Sequence, residues 1–216
     1  MIDLKRIERN EERWDECDPG FADRGRLVFS ELERTGWRPR INTAWRSIED
    51  QATEAAEGDT TVAFGFHNTT GPAGEKQSLA VDVIDDDSPS DPARGFLMAL
   101  AIFAADHSLC TGITFGLDAA GKAAVADAIK TRNFSAAGLK FGWDAGHLQP
   151  AGMRTRDAHD GMRMPRLQVV PLERPRQKLT IWMVCEHGRD GERCCIDCYH
   201  QAVDQRAADL ISPTIS

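Results

Sequence analysis

The sequence is organised around Phe66-His67-Asn68 and Ser78-Leu79-Ala80-Val81-Asp82, joined by a short polar loop, and around Phe141-Gly142-Trp143-Asp144-Ala145-Gly146-His147-Leu148-Gln149. These segments supply His67, Asp82 and His147, and three protein ligands are typical of a catalytic zinc ion that keeps one position open. Asp82 ends an apolar run, where the alternation of a strand could direct its carboxylate into a site. Asp144 lies three residues before His147, so its carboxylate is available as a general acid or base.

Length and composition restrict the class of protein. The chain has 216 residues, enough for one domain and a modest appendage. With 41% hydrophobic and 28% charged residues, it has the composition of a soluble globular protein rather than a disordered one. The net charge of −8 argues against nucleic acid as the main partner, because phosphate binding requires clustered Lys and Arg.

The N-terminal residues are charged and lack the apolar stretch of a secretory signal. No apolar run approaches the length of a membrane span. We therefore expect cytoplasmic synthesis without a signal peptide, and no insertion into a membrane. The sequence leaves the oligomeric state open.

The hydrophobic pattern predicts an α+β fold in which helices and short strands are interspersed. Ser47-Ile48-Glu49-Asp50 is typical of a capped helix start, and the apolar helix after Pro92 is expected at the centre of the core. The predicted helices cover residues 21–35, 47–58, 92–107 and 121–132. The predicted strands cover residues 37–45, 60–66, 79–84 and 110–117, and another opens near His147.

Several motifs, taken in their order along the chain, resemble one family of zinc peptidases. They are Trp45-Arg46-Ser47, then His67, then Ala80-Val81-Asp82, then Trp143 to Gln149. The family is that of the D-alanyl-D-alanine carboxypeptidases and L-alanyl-D-glutamate endopeptidases, which includes phage endolysins and shares its fold with the hedgehog signalling domain. The resemblance covers about residues 20–150 and implies a small antiparallel sheet flanked by helices.

The resemblance also implies roles for individual residues. His67, Asp82 and His147 would bind one catalytic zinc ion, and Asp144 would be the catalytic acid/base. Arg46 would steady the substrate or the oxyanion, a role that suits a fixed guanidinium. The implied substrate is the stem peptide of bacterial peptidoglycan, reached in the cell wall after a phage-type release.

Within the family, Asp144 in place of Glu and the following Leu148-Gln149 are closer to the endopeptidases than to the D-alanyl-D-alanine carboxypeptidases. A rival interpretation from another class is a non-catalytic module on the same fold that binds metal or peptide. The carboxylate beside a full ligand set favours the enzyme.

The sequence departs from the family pattern between the first histidine and the aspartate. These residues are usually seven apart, whereas here they are fifteen apart. Gly71-Pro72 and Gly74 are turn formers and indicate a longer loop. A strict register would place Glu75 at the histidine position, so Glu75 is an alternative ligand, and Ser78 replaces the usual glycine.

The last part of the chain is rich in cysteine, with four of the six cysteines in the final 32 residues. In a chain without a secretory signal, such a cluster is more typical of a metal site than of disulfides. A second, structural zinc ion is therefore possible, with free thiols or a disulfide as alternatives. The favoured ligands are Cys185, His187, Cys195 and Cys198, with Cys194 and His200 as spares.

These signals divide the chain into four predicted parts. Residues 1–19 form an N-terminal arm, either a peripheral helix or an extended segment, and residues 20–152 form the zinc peptidase domain. Residues 153–180 are a basic linker with strand candidates, since seven basic residues face three acidic ones between 153 and 178. Residues 181–216 form the cysteine-rich tail.

Overall fold

A four-stranded antiparallel sheet lies at the centre of the structure. The computed structural model describes residues 3–57 and 65–167, which belong to the first of two compact units, 1–169 and 170–216. The strands are β1 (Pro39–Thr43), β2 (Val81–Asp85), β3 (Leu109–Gly112) and β4 (Asp144–Pro150), in the spatial order β1-β2-β4-β3. The predicted α+β class and the small antiparallel sheet are confirmed.

Helices flank this sheet, and local signals explain where they begin. Asp18 accepts a hydrogen bond from the Phe21 amide, and Pro19 occupies the first turn. Ser47 and Asp50 form the expected cap, with the Asp50 amide 3.0 Å from the Ser47 hydroxyl. The helices are α1 (Leu4–Trp14), α2 (Pro19–Arg34), α3 (Ile48–Glu57), α4 (Arg94–Asp106), α5 (Ala119–Lys130) and α6 (Thr155–His159).

Helix α4 is the central core helix that the sequence predicts. Its Phe96, Leu100 and Ile102 are fully buried, and the helix packs against α2, α5, β3 and β4. The side chains of Val81 on β2 and Leu148 on β4 are buried in this core. Because successive side chains of a strand point to opposite faces, the intervening residues of β2 and β4 lie on the other face.

The N-terminal segment, predicted as a peripheral helix or an extended arm, forms the helix α1 and packs into the core. Trp14 is 1% exposed and packs edge-on against Phe21 and Phe29. The amide side chain of Asn10 donates to the Pro39 carbonyl and accepts from the Ile41 amide. Burying a large indole is strongly favourable, and Asn10 caps backbone groups of the edge strand β1, so α1 belongs to the core.

The long connection between His67 and Asp82 forms a small loop whose ends are tied together. Thr70 pairs with Lys76 in an antiparallel bridge, and Gly74 adopts φ +82° at the turn. The Leu79 amide donates to the Phe66 carbonyl at 2.9 Å. The additional residues therefore project outwards without separating the two ends, as the turn-forming glycines predict.

Part of the predicted basic linker packs against the domain. The Gly20 position on α2 is so close to the Met164 carbonyl that an added Cβ would lie 2.0 Å from its oxygen. Arg24 donates to the Pro165 carbonyl at 2.6 Å. Within residues 3–57 and 65–167, no helix is long and apolar enough to cross a membrane.

Several predicted features lie outside the described residues. These are most of the strands expected at 60–66 and 167–170, the strand candidate at 179–184, and the proposed structural zinc ligands. The ligands concerned are Cys185, His187, Cys195 and Cys198.

Candidate metal centre

The register of the sheet places two predicted ligands side by side. Asp82 on β2 lies directly opposite His147 on β4, so their side chains share one face of the sheet. This face is the one turned away from the core residues Val81 and Leu148. His67 reaches the same place from a short 3₁₀ turn at Phe66–Asn68, which begins at the last residue of the strand predicted for 60–66.

The three side chains converge on a single point. Asp82 Oδ1 lies 3.1 Å from His147 Nδ1 and 3.4 Å from His67 Nε2. One ligand atom from each residue lies within 4.8 Å of the other two, and both histidines are buried. The structure thus brings together the predicted metal set, and this group could hold a metal ion.

The hydrogen bonds on the far side of each ring determine which nitrogen faces the group. His67 Nδ1 lies 2.5 Å from the Ala44 carbonyl oxygen, which can only accept, so Nδ1 carries the proton. His147 Nε2 lies 3.1 Å from Gln149 Oε1. The other nitrogen of each ring, His67 Nε2 and His147 Nδ1, faces the carboxylate of Asp82. With these nitrogens deprotonated, two imidazoles and one carboxylate oxygen would fit a divalent ion such as zinc.

The protonation of these residues reflects their mutual contacts. Burial raises the pKa of Asp82, but the hydrogen bonds and charges of His147 and His67 outweigh it and hold the pKa well below its usual range. Burial lowers the pKa of His147, but the bond to Asp82 and the charges of Asp82 and Asp144 outweigh it, so the pKa is raised. The carboxylate therefore stays ionised and favours a positive charge beside it, whether a proton or a metal ion.

Asp144 stands at the edge of the same group. Its Oδ2 lies 3.8 Å from His147 Nδ1, and it is not among the converging ligand atoms. The pairing of β3 and β4 is irregular here, between the Thr111 and Gly112 positions, and such bulges redirect side chains. Burial, reinforced by the charge of Asp82, raises the pKa of Asp144. A carboxyl group with a raised pKa at a cleft is suited to proton transfer.

Arg46 lies on the other side of Asp82. Its Nη2 is 4.0 Å from Asp82 Oδ2, and its Nη1 lies 3.2 Å from Gln51 Oε1 and 3.7 Å from Glu54 Oε2. The backbone amide of Arg46 also donates to the His67 carbonyl at 3.0 Å. Helix α3 thus holds the guanidinium in place next to the candidate metal group.

The group opens into a cleft of about 580 Å³. Phe115 forms part of its wall, with its ring 5.8 Å from Trp143 and 6.0 Å from His147. Trp143 is 69% exposed, which is unusual for a large aromatic side chain. The residues that line the cleft are Arg46, Gln51, Glu54, Gly65, Phe66, His67, Asp82, Phe115, Trp143, Asp144, His147, Gln149, Met153, Arg154 and Thr155.

The structure does not bring Glu75 to this group. Glu75 is exposed in the loop, and its carboxylate accepts hydrogen bonds from the Ala73 amide and the Gln77 side chain. Phe115, Gln51 and Glu54 line the cleft but were not predicted as site residues. These side chains come from segments without a recognisable motif, and only the assembled fold places them at the cleft.

Comparisons with known proteins add little to this picture. No family model and no curated protein matches the sequence. Among solved structures, the chain is similar to the L-Ala D-Glu endopeptidase ChiX of Serratia marcescens, with 16% sequence identity and a TM-score of 0.44. The similarity covers 73% of this chain and 97% of that chain.

Proposed function

We propose that this protein is a zinc-dependent peptidase that hydrolyses peptide bonds in the stem peptides of bacterial peptidoglycan. The observation that carries the proposal is the convergence of one ligand atom each from His67, Asp82 and His147, all within 4.8 Å of one another. The carboxylate of Asp144 and the guanidinium of Arg46, which contacts Gln51 and Glu54, lie beside these ligands at an open cleft.

Zinc held by His67, Asp82 and His147 would supply Lewis acidity at the scissile carbonyl and would acidify a water molecule. Asp144 is the proton acceptor of the site, because its carboxylate lies beside the ligands without belonging to them. It takes a proton from the attacking water and delivers it to the leaving amine. The guanidinium of Arg46 places positive charge where the oxyanion develops.

The substrate class is supported by the motif resemblance and by the chemistry of the cleft. The lining combines the guanidinium groups of Arg46 and Arg154 with the carboxylates of Glu54, Asp82 and Asp144, and Trp143 with Phe115 offers an aromatic surface. This mixture of charged and aromatic groups suits an extended polar peptide. The motif around Asp144 favours cleavage between L-alanine and D-glutamate, and removal of a terminal D-alanine is the alternative. Access to the cell wall would follow a phage-type release.

The test is mass spectrometry of purified peptidoglycan after digestion with the zinc-loaded protein. New fragments split between the first and second stem residues, absent with His147→Ala, are the expected result. Loss of only a terminal D-alanine would assign the carboxypeptidase reaction. Glu75→Gln is a suitable control, since Glu75 is an exposed carboxylate outside the metal group and should leave the products unchanged.

Absence of any product from the zinc-loaded wild-type protein would refute the proposal for this substrate. That outcome would favour the non-catalytic module, which binds metal or peptide without turnover. Zinc content must be measured in the same samples, because an empty site would also be inactive.

A further inference from the structure

Gln149 contacts the candidate metal centre from behind one of its histidines. It follows His147 by two positions on β4, so both side chains lie on the same face of the sheet. Gln149 Oε1 lies 3.1 Å from His147 Nε2, on the side of the ring opposite Asp82. The amide is thus placed to accept the ring proton.

The orientation of the amide is supported from its other end. Cys110 on β3 lies directly opposite Gln149 in the register of the sheet. The Cys110 thiol donates to the Pro150 carbonyl, which leaves the sulfur free to accept a hydrogen bond. Burial raises the pKa of Cys110, and a hydrogen bond from Gln149 counteracts this effect. The amide nitrogen therefore faces Cys110 and the amide oxygen faces His147.

This arrangement selects one form of the neutral imidazole. With the proton on Nε2, the ring donates to Gln149 and keeps the Nδ1 lone pair for the metal position. With the proton on Nδ1, the Nε2 lone pair would face the amide oxygen, and Nδ1 could not bind a metal. In His67 the two nitrogens have the opposite roles: the Ala44 carbonyl, 2.5 Å from Nδ1, holds the proton there and leaves Nε2 for the metal position.

We propose that Gln149 is a positioning residue that holds the tautomer and the ring orientation of His147, and through them the affinity of the site for zinc. The inference rests on the proposed metal site and deepens it. Hydrogen-bond partners behind a ligating histidine typically contribute 10- to 100-fold in metal affinity.

The first test is the zinc affinity of the full chain, measured by competition with a chelator. Gln149→Leu removes the acceptor and should weaken zinc binding roughly 10- to 100-fold. Gln149→Glu keeps an oxygen at this position and should restore most of the affinity. Gln77→Leu is the matched control, since Gln77 lies outside the cleft lining and should leave the affinity unchanged.

The predicted thiolate ligands of the tail need a separate readout, because zinc there would obscure the measurement. Cobalt substitution provides it, since thiolate sites give a charge-transfer band that nitrogen and oxygen sites lack. Only the weaker visible bands should respond to Gln149→Leu. Equal affinity of the wild-type protein and Gln149→Leu for zinc at the histidine site would overturn the inference.

The second test uses the wild-type protein and does not depend on the folding of a variant. In the zinc-loaded protein, nuclear magnetic resonance should show the His147 Nε2 proton protected from exchange with water, as expected for a hydrogen bond to Gln149. Exchange as fast as in free imidazole would overturn the inference. Zinc binding that depends on Gln149 without hydrolysis of peptidoglycan would refute the proposed function alone.

Discussion

Replacing Asp144 with Asn tests whether this residue is the acid/base of the site and not a ligand of the metal ion. The substitution keeps the size of the side chain and removes its ability to accept a proton. Asp144 is not among the three converging ligand atoms, so zinc occupancy should be unchanged. General acid–base catalysis contributes roughly 10²- to 10⁴-fold. We therefore expect kcat to fall by this factor, which corresponds to about 3 to 5 kcal/mol in the activation barrier.

The assay is the rate of cleavage of a soluble stem peptide, followed by chromatography, with zinc content measured in the same samples. Asp91→Asn is a matched control, because Asp91 is an exposed aspartate outside the cleft lining. Asp144→Asn with zinc bound and a rate within about threefold of wild type would refute the acid/base role. Loss of zinc from this variant would show that Asp144 is a ligand instead.

Three further predictions concern metal binding, transition-state stabilisation and folding. Burial lowers the pKa of His147, but the bond to Asp82 and its charge outweigh burial and raise the pKa above the ordinary 6.5, so protons should displace zinc as the pH falls through this raised value. A zinc affinity that stayed constant from about pH 8 to 6 in chelator competition would contradict this prediction. Arg46→Ala should lower kcat roughly 10²- to 10³-fold in steady-state kinetics with zinc retained, whereas loss of zinc would mean that Arg46 acts through Asp82. Trp14→Ala should reduce the free energy of unfolding by about 3 to 5 kcal/mol in denaturant titrations, because the indole is buried. Leu4→Ala, at an exposed position, should change this free energy by less than about 0.5 kcal/mol, and equal effects of the two variants would show that Trp14 is not a core residue.

Local signals in the sequence predicted much of the fold. The capped start of α3 at Ser47 and the apolar helix α4 depend on neighbours a few residues apart, and both appear as expected. Strand boundaries were less accurate. The strand predicted for 110–117 ends at Gly112, where β3 meets β4 so closely that an added Cβ would lie 2.1 Å from the Asp144 carbonyl oxygen. That contact is long-range and leaves no periodic signal.

The N-terminal segment illustrates a second kind of difference. Its charged residues suggested an arm or a peripheral helix, but the single indole of Trp14 decides its place. The other large apolar residues of α1, Leu4 and Ile7, remain exposed, so the apolar positions in the sequence do not by themselves mark the buried face of the helix. The partner that covers this residue comes from α2, so the burial became visible only in the folded chain.

The sequence by itself determined which chemical groups are available and their order along the chain: His67, Asp82, Asp144 and His147. The tertiary structure decided how they meet. Antiparallel register sets Asp82 against His147, and the tied ends of the loop return His67 to them while Glu75 stays outside. These outcomes depend on hydrogen bonds between residues far apart in the chain, which no local pattern encodes.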